Sequence, residues 1–63
     1  MISCRVLLHS NHTIVIPFKT NTALSYFLDE VATQENPEDT YYSWECSVKV
    51  KNIAKVISIE EEN

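Results

Sequence analysis

The sequence predicts a single small α+β domain in which one amphipathic helix packs on one face of an antiparallel sheet. Apolar and polar residues alternate in the first and the last third of the chain, which is the pattern of half-buried strands. Between them lies one segment with helical spacing. Because 63 residues leave room for one domain only, we expect one helix on one sheet, in the order β-β-α-β-β.

The first third predicts a β-hairpin with strands at about 2–9 and 13–19. Apolar side chains occupy the even positions of both segments, at Ile2, Cys4, Val6, Leu8, Ile14, Ile16 and Phe18. The polar residues Ser10-Asn11-His12 separate the two segments, as expected for a short hairpin loop. Because asparagine tolerates the left-handed region better than most residues, we expect Asn11 to have a positive φ angle.

The middle of the chain predicts an amphipathic helix over about 21–34. Thr20, Asn21 and Thr22 can each accept a hydrogen bond from a first-turn amide and so serve as the N-cap. Apolar residues then follow at i, i+3, i+4 and i+7, which places them in one stripe: Leu24, Phe27, Leu28 and Val31. The helix should end before Asn36-Pro37, because the residue before a proline is disfavoured in the helical region.

The last third predicts two more strands, at about 41–51 and 53–60, and a frayed tail at 61–63. The first of these is long enough to span the sheet, and alternate residues of it should face the core: Tyr42, Trp44, Cys46, Val48 and Val50. This parity leaves Tyr41 as an exposed aromatic residue. Asn52 marks a tight connection and is a second candidate for a positive φ angle.

The chain contains no glycine, which excludes two classes of nucleotide-binding site. Both the P-loop and the dinucleotide-binding fingerprint require glycine, so the turns here must be made by Asn, Ser, Pro and Asp. The hydrophobic share of 44% is too high for a disordered segment. No apolar run approaches the roughly 18 residues of a membrane span.

Cysteine and histidine supply the ligand types of a zinc site, at Cys4, His9, His12 and Cys46, but their spacing argues against one. There is no C-x-x-C pair, and strand parity places Cys4 and His9 on opposite faces. Both cysteines fall on apolar strand faces, so neither is expected to be a reactive thiolate. We expect free thiols in a reducing cytoplasm; in an exported protein, Cys4 and Cys46 could be neighbours in the sheet and pair.

No catalytic residue and no cofactor is predicted. Carboxylates are paired at Asp29-Glu30 and Glu38-Asp39, but general acid–base catalysis needs such groups in a pocket that drives their pKa values apart. A domain of one helix and four strands has little room for such a pocket. A solvated acidic surface is the simpler interpretation, and the protein is not expected to be an enzyme.

Charge is segregated along the chain, whose net charge is -4. No Lys or Arg occurs between Lys19 and Lys49, and this interval holds six acidic residues next to an aromatic cluster. Acidic side chains steer a basic partner and aromatic ones anchor it. We therefore predict a protein-interaction module that inhibits or modulates a larger partner by covering its surface. The predicted contact residues are Asp29, Glu30, Glu35, Glu38, Asp39 and Tyr41.

Two other functions stay open. A nucleic-acid-binding domain would use a basic outer sheet face with one aromatic residue, formed by Arg5, Tyr41, Lys49, Lys51 and Lys55, although the acidic total charge argues against it. A structural homodimer would pack its mixed last strand against its mate. In being very short, acidic and without catalytic residues, the chain is similar to many small phage and mobile-element proteins, which often bind a host enzyme.

Overall fold

The computed structural model describes residues 1–61, which form one α-helix, five strands and one short 3₁₀ turn. The elements are β1 (Ile2–Leu8), β2 (Thr13–Phe18), α1 (Asn21–Thr33), β3 (Thr40–Tyr42), β4 (Ser47–Lys49), a 3₁₀ turn (Val50–Asn52) and β5 (Ile53–Glu61). Of the predicted frayed tail, residues 62 and 63 lie outside the described residues. Glu61 does not fray, because it pairs with Ile2 at the end of β5.

The main sheet has three antiparallel strands in the order β2-β1-β5, and α1 packs on one of its faces. The alternation in β1 and β2 has the predicted result, since even-numbered residues of both strands are buried towards the helix: Ile2, Cys4, Val6, Ile16 and Phe18. The helix contributes Leu24 and Phe27 to the same core, and Leu28 and Val31 pack at its margin. The predicted α+β class, with one helix on an antiparallel sheet, is confirmed.

Helix α1 begins at a side-chain cap and ends in a left-handed residue. The Ala23 N–H donates to Thr20 Oγ1 at 3.1 Å, so Thr20 is the N-cap. At the other end, Gln34 has φ 56° and ψ 30°, and its N–H donates to the Glu30 carbonyl oxygen at 2.8 Å. This position usually holds glycine or asparagine, so a glutamine there could not be predicted from residue type.

Positive φ angles occur at Asn11 and Gln34 within the described residues. Asn11, with φ 71°, confirms the prediction for the first hairpin. The prediction for Asn52 is wrong, because Asn52 belongs to a 3₁₀ turn, and such a turn uses negative φ angles. The connection into the last strand is therefore tight without a left-handed residue.

The predicted long strand at 41–51 is wrong, because the chain reverses in its middle. Strands β3 and β4 form a separate antiparallel pair in which Tyr41 lies opposite Val48. The Ser43 N–H donates to the Cys46 carbonyl oxygen at 2.7 Å. Ser43 Oγ in turn accepts from the Cys46 N–H at 3.1 Å and from the Glu45 N–H at 3.4 Å. A serine that binds nearby backbone amides in this way competes with a continuous strand and favours a turn.

The reversal also inverts which aromatic residues face the core. Residues directly opposite each other in an antiparallel pair point to the same face, and Tyr41 lies opposite Val48. Val48 is buried, so Tyr41 points to the core side and its neighbour Tyr42 points away from it. Tyr41 is half-buried, whereas Tyr42, Trp44 and Cys46 are exposed. The prediction that Tyr41 is the exposed aromatic, with Tyr42, Trp44 and Cys46 in the core, is therefore wrong.

Candidate binding surface

Three aromatic side chains are largely exposed, and we call them the aromatic surface. Tyr26 of α1 is 67% exposed, Tyr42 of β3 is 72% exposed, and Trp44 of the hairpin turn is 68% exposed. Exposed large apolar side chains that cluster mark interaction sites, and tyrosine and tryptophan are the residue types that contribute most to protein interfaces. These side chains are therefore the strongest candidate site in the described part of the chain, with Tyr26 and Tyr42 at one groove and Trp44 beyond them at the hairpin turn.

A groove of about 520 Å³ separates the helix from β2 and β3. Tyr26 and Tyr42 both line it, so these two members of the aromatic surface belong to one site. The other lining residues are Ile16, Pro17, Phe18, Lys19, Ala23 and Tyr41. Most of this lining is apolar, which suits an apolar side chain of a binding partner.

The groove rests on a packed group of aromatic rings. The ring centroids of Phe27 and Tyr41 are 4.7 Å apart in an edge-to-face arrangement, and those of Phe18 and Phe27 are 5.2 Å apart. Phe18 and Tyr41 complete the triangle at 6.1 Å. Such offset and edge-to-face pairs are the favourable geometries for aromatic rings. Tyr41 thus supports the surface from below and is not an exposed anchor.

Trp44 borders two further grooves on the other side of the hairpin. One, of about 310 Å³, lies between the hairpin turn and the first two strands, and its lining includes Arg5, Val15, Trp44 and Glu45. The other, of about 160 Å³, includes Ser3 and Glu60 next to Trp44. Odd positions of β1 and β2 point away from the helix. The turn therefore extends past β2 to the outer face of the main sheet.

Glu30 is a half-buried carboxyl group at the junction of the helix and β3. Its Oε2 atom is buried and has no hydrogen-bond partner among the described residues. Burial, the neighbouring Asp39 carboxyl group and the charge of Asp29 raise the pKa of Glu30, while the Tyr41 hydroxyl group lowers it. Burial and the charge of Glu30 raise the pKa of Tyr41 to about 12. One carboxyl oxygen of Glu30 is thus buried at this junction.

Glu38 is paired within the chain with two lysines of the opposite charge. Its Oε2 lies 2.9 Å from Lys49 Nζ, and its Oε1 lies 2.8 Å from Lys51 Nζ. Hydrogen bonds and the charges of both lysines lower the pKa of Glu38 to about 2. The loop is also held by its backbone, since the Val50 N–H donates to the Asp39 carbonyl oxygen at 2.9 Å. Of the predicted contact residues, four acidic ones are exposed, Asp29, Glu35, Glu38 and Asp39, and of these Glu38 already shares its charge with the two lysines.

The predicted basic face is not assembled as one surface. Tyr41 faces the core, and Lys49 and Lys51 share their charge with Glu38. Arg5 and Lys55 do lie on the outer face of the main sheet, opposite Ser58 and Leu7 respectively. Two cations of the predicted set therefore remain together on that face.

The two cysteines occupy different environments. Cys4 is buried and Cys46 is exposed, and both are free thiols. Burial raises the pKa of the Cys4 thiol, whereas Cys46 Sγ lies 3.3 Å from Ser43 Oγ in the hairpin turn. No cluster of three or more His, Cys, Asp or Glu side chains suited to a metal ion occurs in residues 1–61.

No protein-family model, curated protein sequence or solved structure matches the chain. Within residues 1–61, no helix is long and apolar enough to cross a membrane.

Sequence reasoning missed all three members of the aromatic surface. Tyr26 lies outside the apolar stripe of α1, so its position on the helix was a signal for exposure. For Tyr42 and Trp44 the signal was Ser43, whose hydroxyl group can hold a turn. Alternation alone could not reveal it, because a strand that folds back on itself keeps the same period.

Proposed function

We propose that this protein is a small interaction module that binds a larger protein through its aromatic surface and inhibits or modulates that partner by covering one of its surfaces. The exposure of Tyr26, Tyr42 and Trp44, at 67%, 72% and 68%, carries the proposal. Burying large aromatic side chains of a marginal 63-residue domain in a partner recovers hydrophobic free energy that folding alone leaves unused. No covalent chemistry is needed for this mode of action.

The grooves favour a partner that presents an apolar side chain. A groove of about 520 Å³ between Tyr26 and Tyr42 can take a side chain such as leucine, methionine or phenylalanine. Its floor is already packed by the rings of Phe18, Phe27 and Tyr41. A preorganised floor lowers the entropy cost of binding, because these rings do not have to be ordered when the partner arrives.

The acidic residues beside the aromatic surface favour a basic partner. Asp29 lines a groove of about 340 Å³ together with Tyr26, and Glu45 lines a groove with Trp44. The net charge of -4 adds a long-range attraction to a positive surface, which raises the association rate and weakens as salt increases. Glu38 contributes less than its place in the sequence suggests, since Lys49 and Lys51 already compensate its charge.

Binding can be followed through Trp44, which is the only tryptophan of the chain. Host proteins retained on the immobilised chain are identified by mass spectrometry, and each purified candidate is titrated into the free protein. If the aromatic surface is the interface, the emission of the exposed Trp44 shifts to shorter wavelength on binding. We expect Tyr42→Ala and Tyr26→Ala each to weaken affinity by about tenfold or more, as hot-spot tyrosines do.

The matched control is His9→Ala, a substitution of an exposed ring in the first hairpin, away from the aromatic surface. It should leave affinity unchanged. Retention of the same partner with the same affinity by a Tyr26→Ala, Tyr42→Ala double variant would contradict the proposal. Circular dichroism of each variant separates loss of contact from loss of fold.

A nucleic-acid interface is the second candidate, and one observation favours it: Arg5 lines the same groove as Trp44. A base could stack on Trp44 while Arg5 contacts a phosphate group. Fluorescence anisotropy with a labelled single-stranded oligonucleotide and with a duplex at low salt tests it. Binding that falls on Arg5→Ala would support this candidate, and no binding at high protein concentration would remove it.

A further inference from the structure

We propose that β5 is a homodimerisation edge, at which two copies of the chain pair their β5 strands antiparallel across a two-fold axis. The sheet order β2-β1-β5 leaves one side of β5 without a strand partner among the described residues. With nine residues, β5 is also the longest strand of the domain. Unpaired strand edges of this kind recruit a further strand. This inference does not depend on the proposed function, which uses the aromatic surface.

Backbone groups of β5 are available for such pairing. The Leu8 N–H donates to His12 O at 2.8 Å, and the His9 N–H donates to Asn52 O at 3.0 Å. Even residues of β1 therefore bond towards β2 and odd residues towards β5, as alternation requires. Ser58 and Glu60 lie opposite odd residues of β1 and use their backbone groups there. The N–H and C=O groups of Ile59, between them, point to the open edge.

An irregularity in β5 makes its sequence self-complementary. The register of β5 against β1 shifts between Ser58 and Val56, so Ile57 is the extra residue of a β-bulge. As a result Lys55 and Glu60, which have opposite parity in a regular strand, both lie on the outer face, opposite Leu7 and Ser3. Val56 and Ile59 likewise share the helix-side face. When the strand is reversed, a charged outer-face position thus meets the opposite charge and an apolar helix-side position meets another apolar residue.

Antiparallel pairing centred between Ile57 and Ser58 uses this symmetry twice. Lys55 of each copy then lies opposite Glu60 of the other on the outer face, and Val56 lies opposite Ile59 on the helix-side face. Opposite charges and apolar pairs in these positions stabilise antiparallel strands. Ile57 and Ile59 are 47% and 49% exposed in the single chain, although Ile59 lies on the side that the helix covers elsewhere. A second copy would cover both isoleucines.

The other edge of the sheet does not allow the pairing to continue. Pro17 of β2 lies opposite Ser3, at an odd position whose backbone groups face outward, and proline has no N–H to donate. The hairpin of β3 and β4 also lies next to this edge, since Tyr41 contacts Phe18 at 6.1 Å between ring centroids. Two-fold pairing through β5 therefore closes the assembly as a dimer and does not produce a fibre.

Sedimentation equilibrium over a range of protein concentrations tests the assembly directly. The apparent mass should rise from 7.3 kDa to twice that value as concentration increases. Amide exchange at Ile59 should slow over the same range, since its N–H becomes hydrogen bonded. A chain that stays monomeric at about 1 mM, a concentration at which a dimer with a dissociation constant of about 1 mM is already well populated, would overturn the proposal.

Charge reversal tests the register. Either Lys55→Glu or Glu60→Lys alone places like charges opposite each other at two symmetric positions, and should raise the dissociation constant by about tenfold or more. The double variant Lys55→Glu, Glu60→Lys exchanges the charges and should restore the native value. Lys19→Glu, the same charge change at the opposite edge of the sheet, is the control and should have no effect. A dimer that is insensitive to the single reversals, or that the double reversal fails to restore, would refute this pairing.

Discussion

Replacing Phe27 by alanine should remove most of the stability of this domain. Phe27 is fully buried, at 0% exposure, and its ring contacts Phe18 and Tyr41 at centroid distances of 5.2 and 4.7 Å. Truncation of a buried phenylalanine costs about 3–5 kcal/mol, which includes the cavity that it leaves. A domain of 63 residues has about 3–9 kcal/mol of unfolding free energy in total. We therefore expect Phe27→Ala to be largely unfolded, or close to it, at 25 °C.

The assay is urea denaturation followed by far-ultraviolet circular dichroism, since the exposed Trp44 reports poorly on the core. The matched control is Tyr26→Ala, which truncates the adjacent aromatic residue of the helix, whose side chain is 67% exposed. We expect the control to lose less than about 1 kcal/mol, as surface substitutions do. A loss at Phe27 smaller than about 1.5 kcal/mol, or an equal loss at both positions, would refute this assignment of the core.

Three further predictions concern ionisable groups. Glu38→Gln should reduce the loss of unfolding free energy that the parent protein shows at acidic pH. The pKa of Glu38 is lowered to about 2 from its ordinary value of 4.5, so its ionised form stabilises the fold above pH 4.5. This contribution is lost as pH falls from 4.5 towards 2. Glu30→Gln should act in the opposite sense, because a raised pKa means that ionisation of Glu30 weakens the fold as pH rises above the ordinary value. Thermal melts at about pH 4, near the ordinary carboxyl pKa, and at about pH 7, well above it, test this. The variant should have the higher melting temperature at the higher pH only. Finally, one equivalent of a thiol reagent should react quickly with the folded chain, at the exposed Cys46, and buried Cys4 should react only on unfolding. Equal stability profiles for variant and parent, or two fast thiols, would contradict these three expectations in turn.

Local sequence patterns were sufficient to predict the buried face wherever the spacing of apolar residues fits only one secondary structure. In β1 and β2, even-numbered apolar residues predicted the buried face, and a polar loop of three residues with Asn11 at φ 71° predicted the turn. The stripe of α1 predicted that Leu24 and Phe27 would be buried. These inferences succeed because a strand or helix exposes one face to a single core, so that periodicity and burial are the same information.

The hairpin of β3 and β4 shows why the same reasoning failed at 41–51. Period-two alternation fits one long strand and two short strands equally well, and the choice depends on whether Ser43 binds the backbone of Glu45 and Cys46. That choice exchanged Tyr41 for Tyr42 and Trp44 on the surface. It changed the candidate binding site more than any other feature, because the site consists of aromatic side chains that lie outside the core.

Charge showed the same division between sequence and structure. The sequence alone determined that six acidic residues lie between Lys19 and Lys49, and that glycine-dependent phosphate sites are excluded. Only the tertiary structure brought Glu38 to Lys49 and Lys51, which are 11 and 13 residues away in the chain, and buried one oxygen of Glu30. Charge per segment is a property of the sequence, whereas the charge that a partner meets depends on which side chains folding brings within a few ångströms of each other.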